Sequence, residues 1–213
     1  MVDSAITNVA LVGRPGLWTV AWHNGQITHV QADAVAAHTT LEAQGQLLVP
    51  GFVDAHIHLD KAFLLSRSPA QTGDFAEALS NTLRLKAEYT VADIQHRARL
   101  VLDRAIAFGV TAMRCHVEVD PILGLTAMTA LLPLQKAYAP AITLQLAVFA
   151  QEGITNQSGT EALLRQAMDL GGNVIGSAPY VDPDPRRNIE MVFDIAEAYD
   201  CDVDFHLDFL DDA

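Results

Sequence analysis

The alternation of apolar and polar residues before Pro50 predicts a small β domain. Apolar residues recur at about every second position in three short runs, as in strands that bury one face. The turn His23-Asn24-Gly25-Gln26 joins the last two runs and is typical of a hairpin. Residues 1–48 are therefore predicted to form a small antiparallel, sandwich-like β domain. The three runs are Ile6 to Val12, Trp18 to Trp22 and Gln26 to Val30.

After Pro50, apolar runs alternate with helical patterns. This rhythm is typical of βαβ units, in which helices cover a parallel sheet. We therefore predict an α/β fold, a (β/α)8 TIM-like barrel of which residues 49–213 contain five of the eight strands. The predicted strands are Leu47 to His58, Ala112 to Val119, Ile142 to Phe149, Val174 to Ala178 and Val203 to Leu207.

Capping residues and apolar stripes indicate the helices between these strands. Asp74 and Glu77 predict a capping box at the start of the first helix. Pro133 is expected to kink or interrupt a helical run from Leu125 to Tyr138, because proline removes a backbone donor. The other helices are predicted to begin at Thr90, near Leu163 and at Asp184-Pro185.

A closed parallel barrel needs eight strands, so the five predicted here leave two interpretations. The chain is a fragment of a longer enzyme, or the fold is an open sheet. We favour the fragment, because the ending Phe209 to Ala213 resembles neither a natural helix nor a tail. Residues 1–213 alone are then expected to be inactive and poorly folded, since the first and fifth strands would expose unpaired edges.

Composition narrows the classes of partner. The chain has 26 acidic and 13 basic residues, and its formal net charge of -13 would repel a phosphate backbone, which argues against nucleic acid. No apolar run approaches the roughly 20 residues of a membrane span. Two cysteines are too few for a disulfide framework, and a cytoplasmic location is expected. A homo-oligomer is compatible with this composition.

His56 and His58 carry the clearest chemical signal. Side chains two residues apart on a strand point to the same face, so both imidazoles can reach one metal ion. Asp54 and Asp60 fall on that face by the same rule. The alternative is a pair of hydrogen-bonded histidines in a packed strand.

Polar residues also stand at the ends of the other predicted strands, where the working residues of parallel barrels lie. With His56 and His58, His206 would provide three nitrogen ligands and leave a coordination position for water. Zinc or iron suits such a site, and the ion would lower the pKa of its water. The other polar residues at these ends are Arg114, His116, Glu118, Asp120, Gln151, Glu152, Asp204 and Asp208.

Four stretches of the chain form an ordered series: Pro50 to Lys61 (PGFVDAHIHLDK), Arg114 to Val119 (RCHVEV), Ala147 to Ile154 (AVFAQEGI) and Asp202 to Asp208 (DVDFHLD). In this order they resemble the amidohydrolase superfamily, and most closely its cytosine deaminase branch, which includes the isopropylammelide hydrolases. The His-x-His motif is shared across the superfamily, whereas the Gln-Glu-Gly run is the more specific marker. The resemblance covers nearly the whole chain.

The resemblance implies roles for individual residues. It makes His56, His58 and His206 the ligands of one divalent metal ion, zinc or iron. It makes Gln151 a substrate contact whose amide pairs with N–H and C=O groups of a ring, since an amide offers both a donor and an acceptor. The alternative for Gln151 is an ordinary loop glutamine.

Lys61 and His116 are also placed at the substrate pocket by the resemblance. Lys61 lies three residues beyond His58 and matches the lysine of the isopropylammelide type. An exposed surface lysine is the alternative. His116 is expected next to the metal ligands.

The chain departs from the cytosine deaminase pattern at Phe209, where that pattern has a proton-shuttling glutamate. Phenylalanine cannot transfer a proton, so cytosine is expected to be deaminated poorly or not at all. Asp208 or Asp211 could take over as the catalytic proton carrier. The further histidine and the metal-binding aspartate of the family would lie on strands beyond Ala213.

Together these observations predict a metal-dependent amidohydrolase acting on a small nitrogen heterocycle. Hydroxide would attack a C–N bond, as in a deaminase or a cyclic amide hydrolase. One alternative is hydrolysis of an N-alkyl aminotriazine, as in the isopropylammelide hydrolases. The other is a non-catalytic metal- or ligand-binding protein, which Phe209 and the missing ligands motivate.

Overall fold

The computed structural model describes residues 1–207, and the contacts within the chain divide it into two compact units, one from Met1 to Gly51 and one beginning at Phe52. The expectations for Asp208, Phe209 and Asp211 lie outside the described residues. Within the described part, no helix is both long and apolar enough to cross a membrane.

The first unit is one sheet of five strands. Its strand β1 (Val2–Leu11) pairs antiparallel with β2 (Arg14–His23), which pairs antiparallel with β3 (Gln26–Gln31). Asn24 and Gly25 connect β2 to β3, and both have positive φ, as the favoured two-residue hairpin turn requires. The predicted hairpin is therefore confirmed.

Two further strands of this unit differ from the prediction. β4 (Ala37–Glu42) and β5 (Leu47–Leu48) both pair with β1 in parallel, so the expectation of a wholly antiparallel unit is wrong for these pairs. β4 gave no alternating signal because every residue after its first is exposed. Without a buried face, a strand carries no apolar period in its sequence.

The predicted strand from Leu47 to His58 is in fact two strands. Leu47–Leu48 belongs to the first sheet, and β6 (Phe52–Ile57) belongs to the second. Pro50 lies between them and has no N–H to donate to a ladder. Because β6 ends at Ile57, His58 follows the strand instead of lying within it.

The second unit holds five parallel strands in chain order with helices between them. After β6 its elements are α1 (Phe75–Lys86), α2 (Val91–Ala107), β7 (Val110–Glu118), α3 (Thr126–Tyr138), β8 (Thr143–Ala150), α4 (Thr160–Leu170), β9 (Val174–Ser177), α5 (Pro185–Tyr199) and β10 (Asp202–Phe205). Each strand pairs with the next one along the chain. This curled sheet is half of a (β/α) barrel and confirms the predicted fold class.

The start of α1 and the course of α3 refine the helix predictions. The carboxylate of Asp74 accepts the N–H of Glu77, as an N-cap does. The carboxylate of Glu77 accepts N–H groups from residues 71–73, so it secures the preceding loop instead of completing the capping box. Pro133 does not interrupt α3, which continues through this exposed residue.

Apolar side chains between the sheet and the helices fix the strands in place. Since all five strands run in the same direction, their carboxyl ends and the polar residues there lie at one edge of the sheet. Fully buried members of this core include Leu102, Leu131, Leu146, Leu164, Ile175 and Val192.

Candidate metal centre and substrate pocket

Three histidines meet at the carboxyl ends of the two outer strands, β6 and β10. His56 lies in β6, and His58 and His206 each follow the end of a strand. The Nε2 atoms of His56 and His58 are 3.4 Å apart, and those of His56 and His206 are 2.9 Å apart. Among the described residues, these three side chains converge closely enough to offer nitrogens to one ion.

The chemistry of this cluster fits a single metal ion. Two nitrogens bound to the same tetrahedral zinc ion lie roughly 3.3 Å apart, near the separations of these Nε2 atoms. Burial, assisted by nearby cationic groups, lowers the pKa of His58 below its usual range and the pKa of His206 to about 4. Both imidazoles are therefore neutral near pH 7, which is the form that binds metal.

A cavity of about 510 Å³ opens beside the three histidines. Gln151, directly after β8, stands in its wall with its amide held on both sides. Lys61 Nζ donates to Gln151 Oε1 at 3.4 Å, and Gln151 Nε2 donates to the Tyr180 hydroxyl at 3.5 Å. Besides the histidines, Gln151 and Tyr180, the cavity is lined by Phe75, Leu79, Phe205 and Leu207.

His116 packs against the three converging histidines but does not line this cavity. Its ring centroid is 4.4 Å from that of His56 and 5.1 Å from that of His206. It is fully buried, and its Nε2 lies 3.2 Å from a carboxylate oxygen of Asp204, which also binds Arg114 at 2.7 Å. Burial lowers the pKa of His116. The histidine therefore supports the neighbouring rings, and its contact with a substrate stays a prediction.

The Lys61 side chain is largely buried, which contradicts the alternative of an exposed surface lysine. Its side chain is 12% exposed and forms a 2.7 Å ion pair with Glu118. Burial opposes the charge of the ammonium, but Glu118 and Asp60 outweigh this effect and raise the pKa of Lys61. Lys61 therefore brings a fixed positive charge to Gln151.

Asp60 does not join the three histidines, so the prediction from strand alternation is wrong for this residue. The chain leaves the strand at Ile57 and turns inward. Asp60 is fully buried and accepts the N–H of Glu118 at 3.0 Å, and burial raises its pKa to about 6. Asp54 accepts the N–H of His56 at 3.2 Å. Both carboxylates serve the backbone around the site.

A buried charge cluster next to the pocket was not predicted. Lys86, the last residue of α1, contacts the carboxylates of Glu118, Asp120 and Glu152. Three carboxylates so close together could hold a cation, and here the ammonium of Lys86 lies among them. The sequence offered no signal for this role, because a lysine in the last turn of a helix is usually a solvated residue.

The proton held by Glu152 in this cluster predicts how the free energy of unfolding depends on pH. Burial and the nearby Glu118 raise the pKa of Glu152 to about 8, from an ordinary value of 4.5. Between these values the folded state binds more protons than the unfolded state, so the free energy of unfolding falls as pH rises. We expect Glu152→Gln to make this fall shallower, with Asp60 preserving part of it.

Urea unfolding of the full-length protein at several pH values between about 4.5 and 8 measures this effect. Glu88→Gln, at an exposed position, is the matched control and should keep the wild-type slope. Equal slopes for Glu152→Gln and wild type would show that Glu152 does not hold this proton.

Comparison with known proteins agrees with this fold and site. A sequence profile of the Amidohydrolase family matches residues 39–212. The N-isopropylammelide isopropyl amidohydrolase of Pseudomonas sp. (strain ADP) is 28% identical over 218 residues, which cover 96% of this chain and 53% of that protein. The chain thus spans about half the length of this curated relative.

Two solved structures share the fold closely. The 5-methylcytosine deaminase from Klebsiella pneumoniae liganded with 5-fluorocytosine superposes with a TM-score of 0.89 at 31% identity, covering 98% of this chain and 52% of that one. The N-isopropylammelide isopropylaminohydrolase from Burkholderia multivorans gives 0.83 at 28% identity, covering 97% and 53%. Since the profile match extends over most of its length, the chain belongs to the Amidohydrolase family.

Proposed function

We propose that the full-length protein hydrolyses a C–N bond of a small nitrogen heterocycle, with one divalent ion, zinc or iron, held by His56, His58 and His206. The observation that carries this proposal is the convergence of three imidazole nitrogens beside a cavity with Gln151 in its wall. Three protein ligands are typical of catalytic sites, which keep a position for water. When bound, the ion lowers the pKa of water, so that hydroxide is available near neutral pH.

Gln151 is the residue we propose to orient the ring. Its oxygen has two lone pairs and its nitrogen two hydrogens, of which Lys61 and Tyr180 use one each. One acceptor site on the oxygen and one N–H on the nitrogen are left for a ligand. They suit the N–H and C=O groups of a lactam ring, and the contacts with Lys61 and Tyr180 hold the amide in place.

The apolar part of the cavity suits the faces of a flat ring. Phe75 and Leu79 of α1 and Phe205 of β10 contribute apolar side chains to its lining. Such a wall limits water to the polar side, where the metal would hold the nucleophile. His116 and Asp204 would keep the neighbouring imidazoles in place through ring packing and the contact between them.

The names of the relatives support a heterocyclic substrate. One matched structure is a 5-methylcytosine deaminase with 5-fluorocytosine, and two matched proteins act on N-isopropylammelide. Lys61, which contacts Gln151, matches the lysine of the isopropylammelide hydrolases. An N-alkyl aminotriazine is therefore the second candidate substrate. Both candidates share hydrolysis of an exocyclic C–N bond, and they differ in the amine released.

The test is an assay of full-length protein, loaded with zinc or with ferrous iron, on cytosine, 5-methylcytosine and N-isopropylammelide. Release of ammonia identifies a deaminase, and release of isopropylamine identifies the N-alkyl hydrolase. Cytosine itself is expected to be a poor substrate because of Phe209. Bound metal without turnover of any heterocycle would contradict the proposal and favour a non-catalytic binding protein.

Gln151→Ala is expected to lower kcat/KM about tenfold to a hundredfold on the best of these substrates. The substitution leaves ring polar groups unpaired in the pocket, at a cost of roughly 1–3 kcal/mol. Gln166→Ala, an exposed position on α4, is the matched control and should change nothing. An unchanged kcat/KM for Gln151→Ala would remove Gln151 from the substrate site.

The two cysteine thiols indicate the kind of cellular compartment that contains the protein. Cys115 and Cys201 are both free, and Cys115 is buried in the core. Unpaired cysteines agree with a reducing compartment, and we propose the cytoplasm on this ground.

A further inference from the structure

Lys86 is the point at which three elements around the pocket meet. It ends α1, and it and Leu85 are the buried residues of that helix. Its fully buried ammonium contacts Glu118 at the end of β7, Asp120 just beyond, and Glu152 just after β8. The distance to the Asp120 carboxylate is 2.5 Å. One side chain therefore ties the helix that lines the cavity to the ends of two strands.

Two of these contacts lead directly to Gln151. Glu152 is its neighbour in the chain. The other oxygen of Glu118 binds Lys61 at 2.7 Å, and Lys61 donates to the amide of Gln151 at 3.4 Å. Lys86 thus acts on Gln151 from both directions, through the backbone on one side and through the Lys61 ammonium on the other.

The turn after Gln151 is held at its far end by Asp182. Asp182 accepts the N–H groups of Ile154 at 2.6 Å and of Thr155 at 2.9 Å. Gly153 has a φ of +91°, and a Cβ there would lie 2.9 Å from the Asp182 carboxylate. The contact between Lys86 and Glu152 holds the near end of the same turn, so its loss would loosen the turn and weaken the protection of the Ile154 and Thr155 amides.

Charge explains why the dependence matters. Without the ammonium, Glu118 and Asp120 would repel each other, and Glu152, whose carboxyl oxygen lies within 4.8 Å of theirs, would lose the cation that keeps it in this group. Glu118 and Asp120 are fully buried, whereas the Glu152 side chain is 21% exposed. The unfavourable interaction among these acidic groups is relieved most easily if Glu152 moves out to water. This movement would displace Gln151, its neighbour in the chain.

We propose that Lys86 is a positioning residue, which holds Gln151 and Lys61 in the orientation that reads the edge of the substrate ring. This proposal rests on the proposed role of Gln151. It also gives the acidic group around Lys86 a function without a second metal ion, since a side-chain cation from α1 occupies the centre of that group.

The first test is a double-mutant cycle in the full-length, metal-loaded protein. Lys86→Met is expected to lower kcat/KM tenfold to a hundredfold on the best substrate of the assay above. Adding Gln151→Ala to Lys86→Met should cause little further loss, because both changes remove the same interaction. Metal content should stay at the wild-type level. Lys136→Met, at an exposed position on α3, is the control and should leave kcat/KM unchanged.

The second test does not depend on activity. Hydrogen exchange at the amides of Ile154 and Thr155 should become at least tenfold faster in Lys86→Met, while the amides of α2 keep their rates. Glu152→Ala cuts the same connection and leaves Lys86 with two carboxylates. It should therefore reproduce the local effect even where Lys86→Met fails to fold.

The outcomes separate this inference from the proposed function. Wild-type protein that turns over no heterocycle would contradict the proposed function. Faster hydrogen exchange at Ile154 and Thr155 in the variants would still support the contact through which Lys86 holds the turn. Unchanged exchange at these amides in the variants, or fully additive losses in the double-mutant cycle, would overturn the positioning role.

Discussion

Replacing His56 and His58 together with alanine is expected to remove the bound metal and with it the activity. Two of the three converging imidazoles are lost, and His206 alone cannot hold the ion against dialysis. Metal should fall from about one per chain to near zero by elemental analysis. Turnover should fall by on the order of a thousandfold or more, since the ion contributes several kcal/mol and about 4 kcal/mol corresponds to that factor.

The matched control removes two histidines that lie on the surface. His38 and His96 are exposed, so the double variant His38→Ala/His96→Ala has the same composition but keeps the cluster. It should retain wild-type metal content and turnover. Full metal occupancy in the His56→Ala/His58→Ala protein would refute the assignment of these ligands.

Phe149→Ala is expected to destabilise the fold by about 3–5 kcal/mol, the usual range for a buried phenylalanine. The side chain is fully buried on β8, and its ring centroid lies 4.3 Å from that of His206 and 5.3 Å from that of His116. The cavity left by the substitution would lie directly beside His206, one of the three converging histidines. We therefore expect metal affinity to fall together with the free energy of unfolding.

Urea unfolding and a competitive chelator titration measure these two effects. Phe108→Ala is the control, because Phe108 is 78% exposed and its loss should change stability by less than about 0.5 kcal/mol. A stable Phe149→Ala protein with wild-type metal affinity would show that the ring does not support the histidines.

Local rules predicted the elements well and failed where the chain leaves a regular element. Alternation placed Asp60 with His56 and His58, but β6 ends at Ile57 and the turn that follows buries Asp60 elsewhere. The apolar run from Leu47 to His58 looked like one strand, although Pro50 divides it. A period in sequence describes side-chain direction only while the backbone keeps one conformation.

In the site, too, residues marked by a local motif could be predicted, whereas residues brought there by tertiary packing could not. His56 and His58 could be proposed from their spacing, and His206 and Gln151 from motifs that resemble a family. Lys86 could not, because its partners come from residues 32 or more positions away and nothing in its own neighbourhood marks it. Tyr180, which orients the amide of Gln151, is likewise brought there by the packing of the sheet.

Locating the metal ion itself would test the assignment of the three histidine ligands without relying on any variant. We propose to crystallise the full-length protein and to collect diffraction data at the zinc and iron absorption edges. One anomalous peak per chain is expected, in contact with the imidazoles of His56, His58 and His206. A metal among Glu118, Asp120 and Glu152, or no metal at the three histidines in active protein, would contradict this assignment.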